Sequence, residues 1–361
     1  MAHRFWNVSK LGTRLLSIIN IPSFTIRMLE PQAVSRDGHR MSAPASITLT
    51  SERLTAEILL SGATLTAVRA GRSQRNLVLG FADPLDHQQV AVYAGAIVGP
   101  VANRIEGGRV TIRGKTYQMP RNENGETCLH SGPDGIHARD WMILSQSPTA
   151  VALGLTLGDG DQGLPGERHL TAEYALNDDT LTLSITARTD QLTPINIAAH
   201  PYWNLDGLAD VSGHRLMVTG DRYLPTGPDS LPTGEISQVA QTDFDYRHSV
   251  PLQLDPALDV NFCLAAKDRA DPQHAATLTG SDGTTLEIAT TAPGLQVYSG
   301  AFLPERAGIL SEGRDLRPYA GVALEPQGWP NAPHQPAFPQ ITVSPGETWK
   351  QVTTYKIKTP D

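Results

Sequence analysis

Apolar and polar residues alternate in short runs along most of this chain, and turn residues interrupt the runs. In TLTLSITA (180–187), Leu181, Leu183, Ile185 and Ala187 share one face, and HLTAEYAL precedes them across NDD. A period of two broken by Asn and Asp predicts a β-hairpin. ATLTGSDGTTLEIAT (276–290) reads as two strands around SDG, and GGRVTIRGKTYQM (107–119) as two around RGK. ITVSPGETWKQVTTYKIK (341–358) reads as a further pair around PGE. No long stretch carries a stripe of period 3.6, and no strands alternate with helices, so a Rossmann-type or (β/α) barrel fold is not expected. The 32 glycines and 27 prolines suit many turns. The pattern predicts an all-β protein, a large antiparallel β-sandwich with long glycine- and proline-rich connections that are natural places for a site.

Residues 1–40 stand apart. They hold Arg4, Lys10, Arg14, Arg27, Arg36 and Arg40 against Glu30 and Asp37, and an apolar run LLSIINIPSFTI at 15–26. That run is too short to span a bilayer and is broken by Pro22. It has the basic start of a signal peptide without a convincing cleavage site. A disordered leader and a true start at Met41 are both compatible with it, and 41–361 reads as a single domain. At 361 residues and 40% hydrophobic, the chain has ample material for one large core. A net charge of −8 without a basic stripe argues against nucleic acid and anionic membranes as partners and leaves a neutral small molecule. Two distant cysteines, Cys128 and Cys263, make no disulfide scaffold and no CxxC; they read as small buried hydrophobes in a reducing cytoplasm.

Candidate chemistry gathers around a few motifs. NIAAHPYWNL (196–205) reads as a strand ending on His200, followed by a proline and two aromatics. His200 is either a satisfied core histidine or a proton donor beside a stacking surface. Glu325 in LEPQGWP follows the short apolar run AGVAL; it is either a rim carboxylate in a salt bridge or a general base at a strand end beside Trp329. His130 in ETCLHSGPDG precedes a glycine turn, and Asp259 in ALDVNFCL precedes an apolar run; each alone reads as a turn or edge residue. Asn103 and Arg104 in GPVANRIEGGR offer several donors to hydroxyl oxygens, or a strand-end salt bridge. No H-x-H, HExxH or CxxC supports a metal, and DGDQGLPGE (159–167) departs from a calcium loop at Gly163 and Leu164. Phosphate-loop, dinucleotide and nucleophile-elbow motifs are absent, so no cofactor is implied. What remains is the pair His200 and Glu325 with polar helpers and aromatics, a set suited to proton transfer on a polyhydroxylated ligand.

GPVANRIEGGRV, CLHSGPDGIHARDW, DGDQGLPG, NIAAHPYWNL, LDVNF, PGLQVYSGAFL and GVALEPQGWPNAP occur in one order. Together they resemble the aldose 1-epimerase (mutarotase) family from about residue 45 to 357. The resemblance implies a galactose-mutarotase-like β supersandwich, no cofactor, and interconversion of the anomers of a free aldose. It implies His200 as general acid, Glu325 as general base, and Arg104, His130, Asp259, Asn103 and Gln296 as sugar contacts. The implied partner is a monosaccharide, aldohexose or aldopentose; monomer and dimer stay open. A carboxylate beside an imidazole favours Glu⁻ and His⁺, the state this reaction starts from. Ser131, Pro100, Pro326 and His334 depart from the family's usual pattern. A sugar-phosphate epimerase would need further Arg or Lys at the site, a glycoside hydrolase would leave His200 unexplained, and a non-catalytic sugar-binding module would need neither acid nor base.

Overall fold

The computed structural model describes residues 45–90 and 92–360, so the expectations for residues 1–40 lie outside the described residues. The alternating runs are antiparallel strands. Arg168–Asn177 pairs with Thr180–Thr189, burying Leu181, Leu183, Ile185 and Ala187 on one face. Gln273–Thr279 pairs with Thr285–Thr290, and Arg109–Ile112 with Lys115–Gln118. At the tip of the last hairpin, Arg113 and Gly114 have φ of 48° and 82°, the positive values a tight two-residue turn requires.

The runs around PGE are strands but not a pair. Thr342–Val343 pairs with Thr193–Pro194, whereas Trp349–Lys358 lies between Thr180–Thr189 and Thr285–Thr290. Both edges of the long strand are occupied, so the residues before PGE find their partner elsewhere.

The largest sheet has nine strands and runs from Val250–Pro251 at one edge to Met142–Gln146 at the other, with Trp349–Lys358 at its centre. A six-stranded sheet carries, in order, Tyr202–Trp203, Val322–Gln327, Gly294–Tyr298, Asp259–Cys263, Arg222–Leu224 and Ser237–Gln238. The two sheets contribute to one hydrophobic core, in which Leu183, Ile185, Ile288 and Tyr355 of the first join Trp203, Phe262, Leu295, Val297 and Leu324 of the second. The Trp203 and Tyr355 rings sit 5.4 Å apart. The result is an all-β sandwich.

Alternation then assigns the other face of the six-stranded sheet. With Val260, Phe262, Leu295, Val297, Val322 and Leu324 in the core, the period of two turns Asp259, Asn261, Gln296, Tyr298, Ala323 and Glu325 the opposite way. Glu325 thus lies inside a strand rather than at its end, because Val322–Gln327 continues through Pro326. The strand tolerates this proline because pairing with Tyr202–Trp203 stops at Val322 and Ala323. The Pro326 carbonyl accepts from Gln351 Nε2 at 3.0 Å, so the missing N–H falls on a side with no ladder to break.

Leu324 is fully buried, and Leu324→Ala should lower the unfolding free energy by about 2–5 kcal/mol in urea denaturation. A loss under about 1 kcal/mol would show that this face is not close-packed.

Candidate active site

The polar face of the six-stranded sheet supplies the floor of the site. Gln296 is the register partner of both Asn261 and Glu325, and Tyr298 that of both Asp259 and Ala323. Directly opposed residues on one face of a sheet lie about 5 Å apart, so three neighbouring strands place these side chains side by side. Residues distant in sequence become one surface through hydrogen-bonded backbone.

Loops from the first half of the chain supply the walls. Ala198–Ala199 pairs with Ile97–Val98. The next residue, His200, is tied at both backbone groups: its N–H donates to the Ala96 carbonyl (2.9 Å) and its carbonyl accepts from Gly95 N–H (3.0 Å). His130 and Asn103 brace each other. The His130 N–H donates to the Asn103 carbonyl (3.1 Å), and the Asn103 N–H donates to His130 Nδ1 (3.1 Å). Both have positive φ, 51° and 63°, a region asparagine tolerates better than most residues. Ser131 Oγ accepts from Val101 N–H (2.8 Å) and donates to its carbonyl, so the serine in LHSG pins this loop. The DGDQGLPG loop supports it from outside: Gln162 Nε2 donates to the Asp134 carbonyl and Arg139 to Asp161.

These elements enclose a cavity of about 420 Å³ lined by all seven residues singled out in the sequence: Asn103, Arg104, His130, His200, Asp259, Gln296 and Glu325. His200 Nε2 lies 3.4 Å from Glu325 Oε1, and both side chains are nearly inaccessible. His200 packs against the rings of Tyr202 (centroids 5.0 Å apart) and His130 (5.5 Å). Arg104 forms a bidentate pair with Glu123 at 2.8 Å on both arms, and its Nη1 lies 3.6 Å from Asp259 Oδ2. Gln296 Nε2 donates to Asp259 Oδ1 at 2.6 Å.

Burial opposes the charge state expected for the central pair. Desolvation pushes the His200 imidazole down to about 4, with a smaller push from His137. Desolvation also pushes the Glu325 carboxyl well above its ordinary value, reinforced by Asp259 and opposed by Arg104. Both shifts work against Glu⁻ and His⁺ and toward a protonated carboxyl beside a neutral imidazole. At 3.4 Å their attraction does not repay the removal of both charges from water.

His130, His200 and Glu325 also offer ligand atoms within 4.8 Å of one another, the arrangement of a metal site. The hydrogen bonding opposes that use. Burial holds His130 neutral, and Asn103 N–H occupies its Nδ1. The ring proton then sits on Nε2, and neither nitrogen keeps a free lone pair for a metal.

Sequence reasoning missed several lining residues: Glu123, Tyr93 and, within a motif already quoted, Tyr298 and Phe302. Nothing in RNENGE marks Glu123 except the turn that follows it. The aromatics differ from expectation. Tyr202 lines the cavity, but Trp203 points into the core and Trp329 packs on Phe338 in a separate apolar cluster. His334 is also remote, with Nε2 2.6 Å from the Arg109 carbonyl.

The sandwich thus gathers a buried histidine–glutamate contact, hydrogen-bonding side chains and aromatic rings in one cavity, a setting suited to a carbohydrate-directed isomerase. The sequence profile of the aldose 1-epimerase family matches residues 45–356. Aldose 1-epimerase of Escherichia coli K12 is 35% identical over 315 residues, covering 82% of this chain and 89% of that protein. Galactose mutarotase of Sus scrofa is 36% identical over 328 residues, covering 85% and 92%. The crystal structure of an aldose epimerase homologue from C. elegans superposes with a TM-score of 0.82 at 28% identity, covering 88% of this chain and all of that one. The chain belongs to the aldose 1-epimerase family, and its fold is galactose-mutarotase-like.

A neutral Glu325 has a signature in stability. Its folded carboxyl keeps its proton to higher pH than the unfolded chain does. Stability from this group is therefore full below the ordinary carboxyl range and is lost as pH rises through the raised value. Glu325→Gln, which cannot ionise, should raise Tm at pH 8 by about 2–4 °C. The gain should shrink toward zero near pH 4. Equal Tm values at both pH values would contradict the burial argument.

Proposed function

We propose that the protein interconverts the α and β anomers of free aldohexoses or aldopentoses, with Glu325 as base and His200 as acid. The observation that carries this reading is the buried 3.4 Å contact between the two groups inside a cavity lined with hydroxyl-binding side chains. Glu325 takes the proton of the C1 hydroxyl, His200 gives one to the ring oxygen, and the C1–O5 bond opens to the aldehyde. Rotation about C1–C2 and closure reverse both transfers.

Burial assists the opening step. With a cyclic sugar bound, the pair works as Glu⁻ and His⁺; with the open aldehyde, it is the neutral acid and neutral imidazole. Desolvation favours the neutral form, so it lowers the open-chain state relative to the cyclic one. The proton reaches His200 from Glu325 across their contact as sugar hydroxyls donate to the carboxylate. His130, with its proton on Nε2, donates to a sugar oxygen on which negative charge develops. Arg104 is the sole cation among the described residues lining the cavity. It is already paired, which favours a free sugar over a sugar phosphate. Free buried cysteines agree with a cytoplasmic location, and no helix among the described residues is long and apolar enough to cross a membrane.

Polarimetry on freshly dissolved α-D-galactose, α-D-glucose and an aldopentose tests the activity. The protein should accelerate at least one of them saturably, whereas no acceleration with any of the three would overturn the reading, and sugar binding without acceleration would point to a binding module. His200→Asn and Glu325→Gln should each lose roughly 10²–10⁴-fold in kcat while remaining folded; a near-normal rate in either would reject its assigned role.

The pair keeps its single proton above about pH 4, where His200 titrates, up to the raised carboxyl value. The plot of kcat/KM against pH should be level across that window, fall on the acid side near pH 4 as a second proton binds, and fall on the alkaline side as the shared proton leaves. A midpoint near 6.5 on the acid limb would indicate an unperturbed histidine instead.

A further inference from the structure

Glu123 has no part in the proton transfers above, yet it lines the cavity and claims the site's cation. Its carboxylate oxygens accept from Arg104 Nε and Nη2 at 2.8 Å each, and Oε2 also accepts from Thr127 Oγ1 at 2.7 Å. The position is built, not incidental. Glu123 and Thr127 bridge each other across a tight turn whose Asn124 and Gly125 have φ of 52° and 71°. Arg104 itself is mostly buried, its side chain 15% exposed, and a buried guanidinium without a partner would be a strong anion receptor.

We propose that Glu123 is a specificity-determining residue that neutralises Arg104 within the cavity, so that the site takes neutral aldoses and rejects sugars bearing a carboxylate or phosphate. This rests on the reading of the cavity as an aldose site. The charge balance supports it: a single Arg104 faces the carboxylates of both Glu123 and Asp259, so the cluster carries a negative excess that repels an anionic sugar, and removing the Glu123 charge cancels that excess. Burial works to raise the Glu123 carboxyl, but the hydrogen bonds from Arg104 and Thr127 and the Arg104 charge together outweigh it and hold the group below its ordinary value. A bidentate pair also fixes the guanidinium plane, so that Arg104 can meet sugar oxygens in one orientation only.

Binding of D-galactose and D-galacturonate, measured by titration calorimetry, tests this without relying on catalysis. The wild type should bind galactose and discriminate against galacturonate. Glu123→Gln removes the charge at nearly constant shape and should narrow the galactose-to-galacturonate affinity ratio by about tenfold or more, while raising KM for galactose more than it lowers kcat. Thr127→Val keeps the carboxylate charge and should leave the ratio near the wild-type value, with at most a change in KM. An unchanged ratio in Glu123→Gln would overturn the proposal. So would a wild type that binds galacturonate as well as galactose, a result that needs no variant to fold. A wild type that binds neither sugar would instead overturn the aldose reading on which the proposal rests.

Discussion

The register of Val322–Gln327 against Gly294–Tyr298 is the constraint on which the rest of the site depends. It sends Leu324 into the core and Glu325 into the cavity from adjacent positions. A slip of one residue would drive the carboxyl between the sheets and turn leucine toward the ligand. Burial of Leu295, Val297 and Leu324 holds the register. The apolar core therefore determines where the Glu325 carboxyl stands.

Rigidity and adaptability are divided between sheet and loops. Three adjacent strands supply Asp259, Gln296 and Glu325 as neighbours on one face. His130, Asn103 and His200 come from connections and Arg104 from the short strand Arg104–Ile105, and each is tied down by backbone hydrogen bonds rather than by apolar packing alone. Positive φ at His130, Ser131 and Asn103 stores local strain that this bonding offsets. Loops of this kind, anchored on a sheet, vary one wall of a site without disturbing its floor.

The same burial that costs the protein stability at Glu325 sets up its chemistry. An ion pair exposed to water would have little reason to discharge. Buried, it gains by neutralising, and in the mechanism proposed above ring opening is the step in which it does so. Arg104 is managed in the opposite way: its charge is kept and matched by Glu123 and Asp259. One cavity thus holds a pair whose charges burial disfavours and a second set of groups whose charges are matched.

Strands were legible in the alternating pattern because a half-buried strand needs apolar residues on one face only; HLTAEYAL–NDD–TLTLSITA and SDG at 281–283 are hairpins as read. The seven residues that line the cavity were legible through motifs in a fixed order. Partnership across the sheet was not legible. The runs around PGE pair with strands elsewhere, and Trp203 and Trp329 serve the core, because alternation shows that a residue has a side without showing which side faces a ligand. Glu123 was silent in sequence for a related reason: its meaning lies in its contact with Arg104, which no local pattern encodes. Its own residues determined that this chain forms strands and carries a histidine, a glutamate and an arginine within those motifs. Only the tertiary structure decided that these meet in one cavity, and therefore which way burial shifts each of them, because desolvation depends on what surrounds a group in space and not on what adjoins it along the chain.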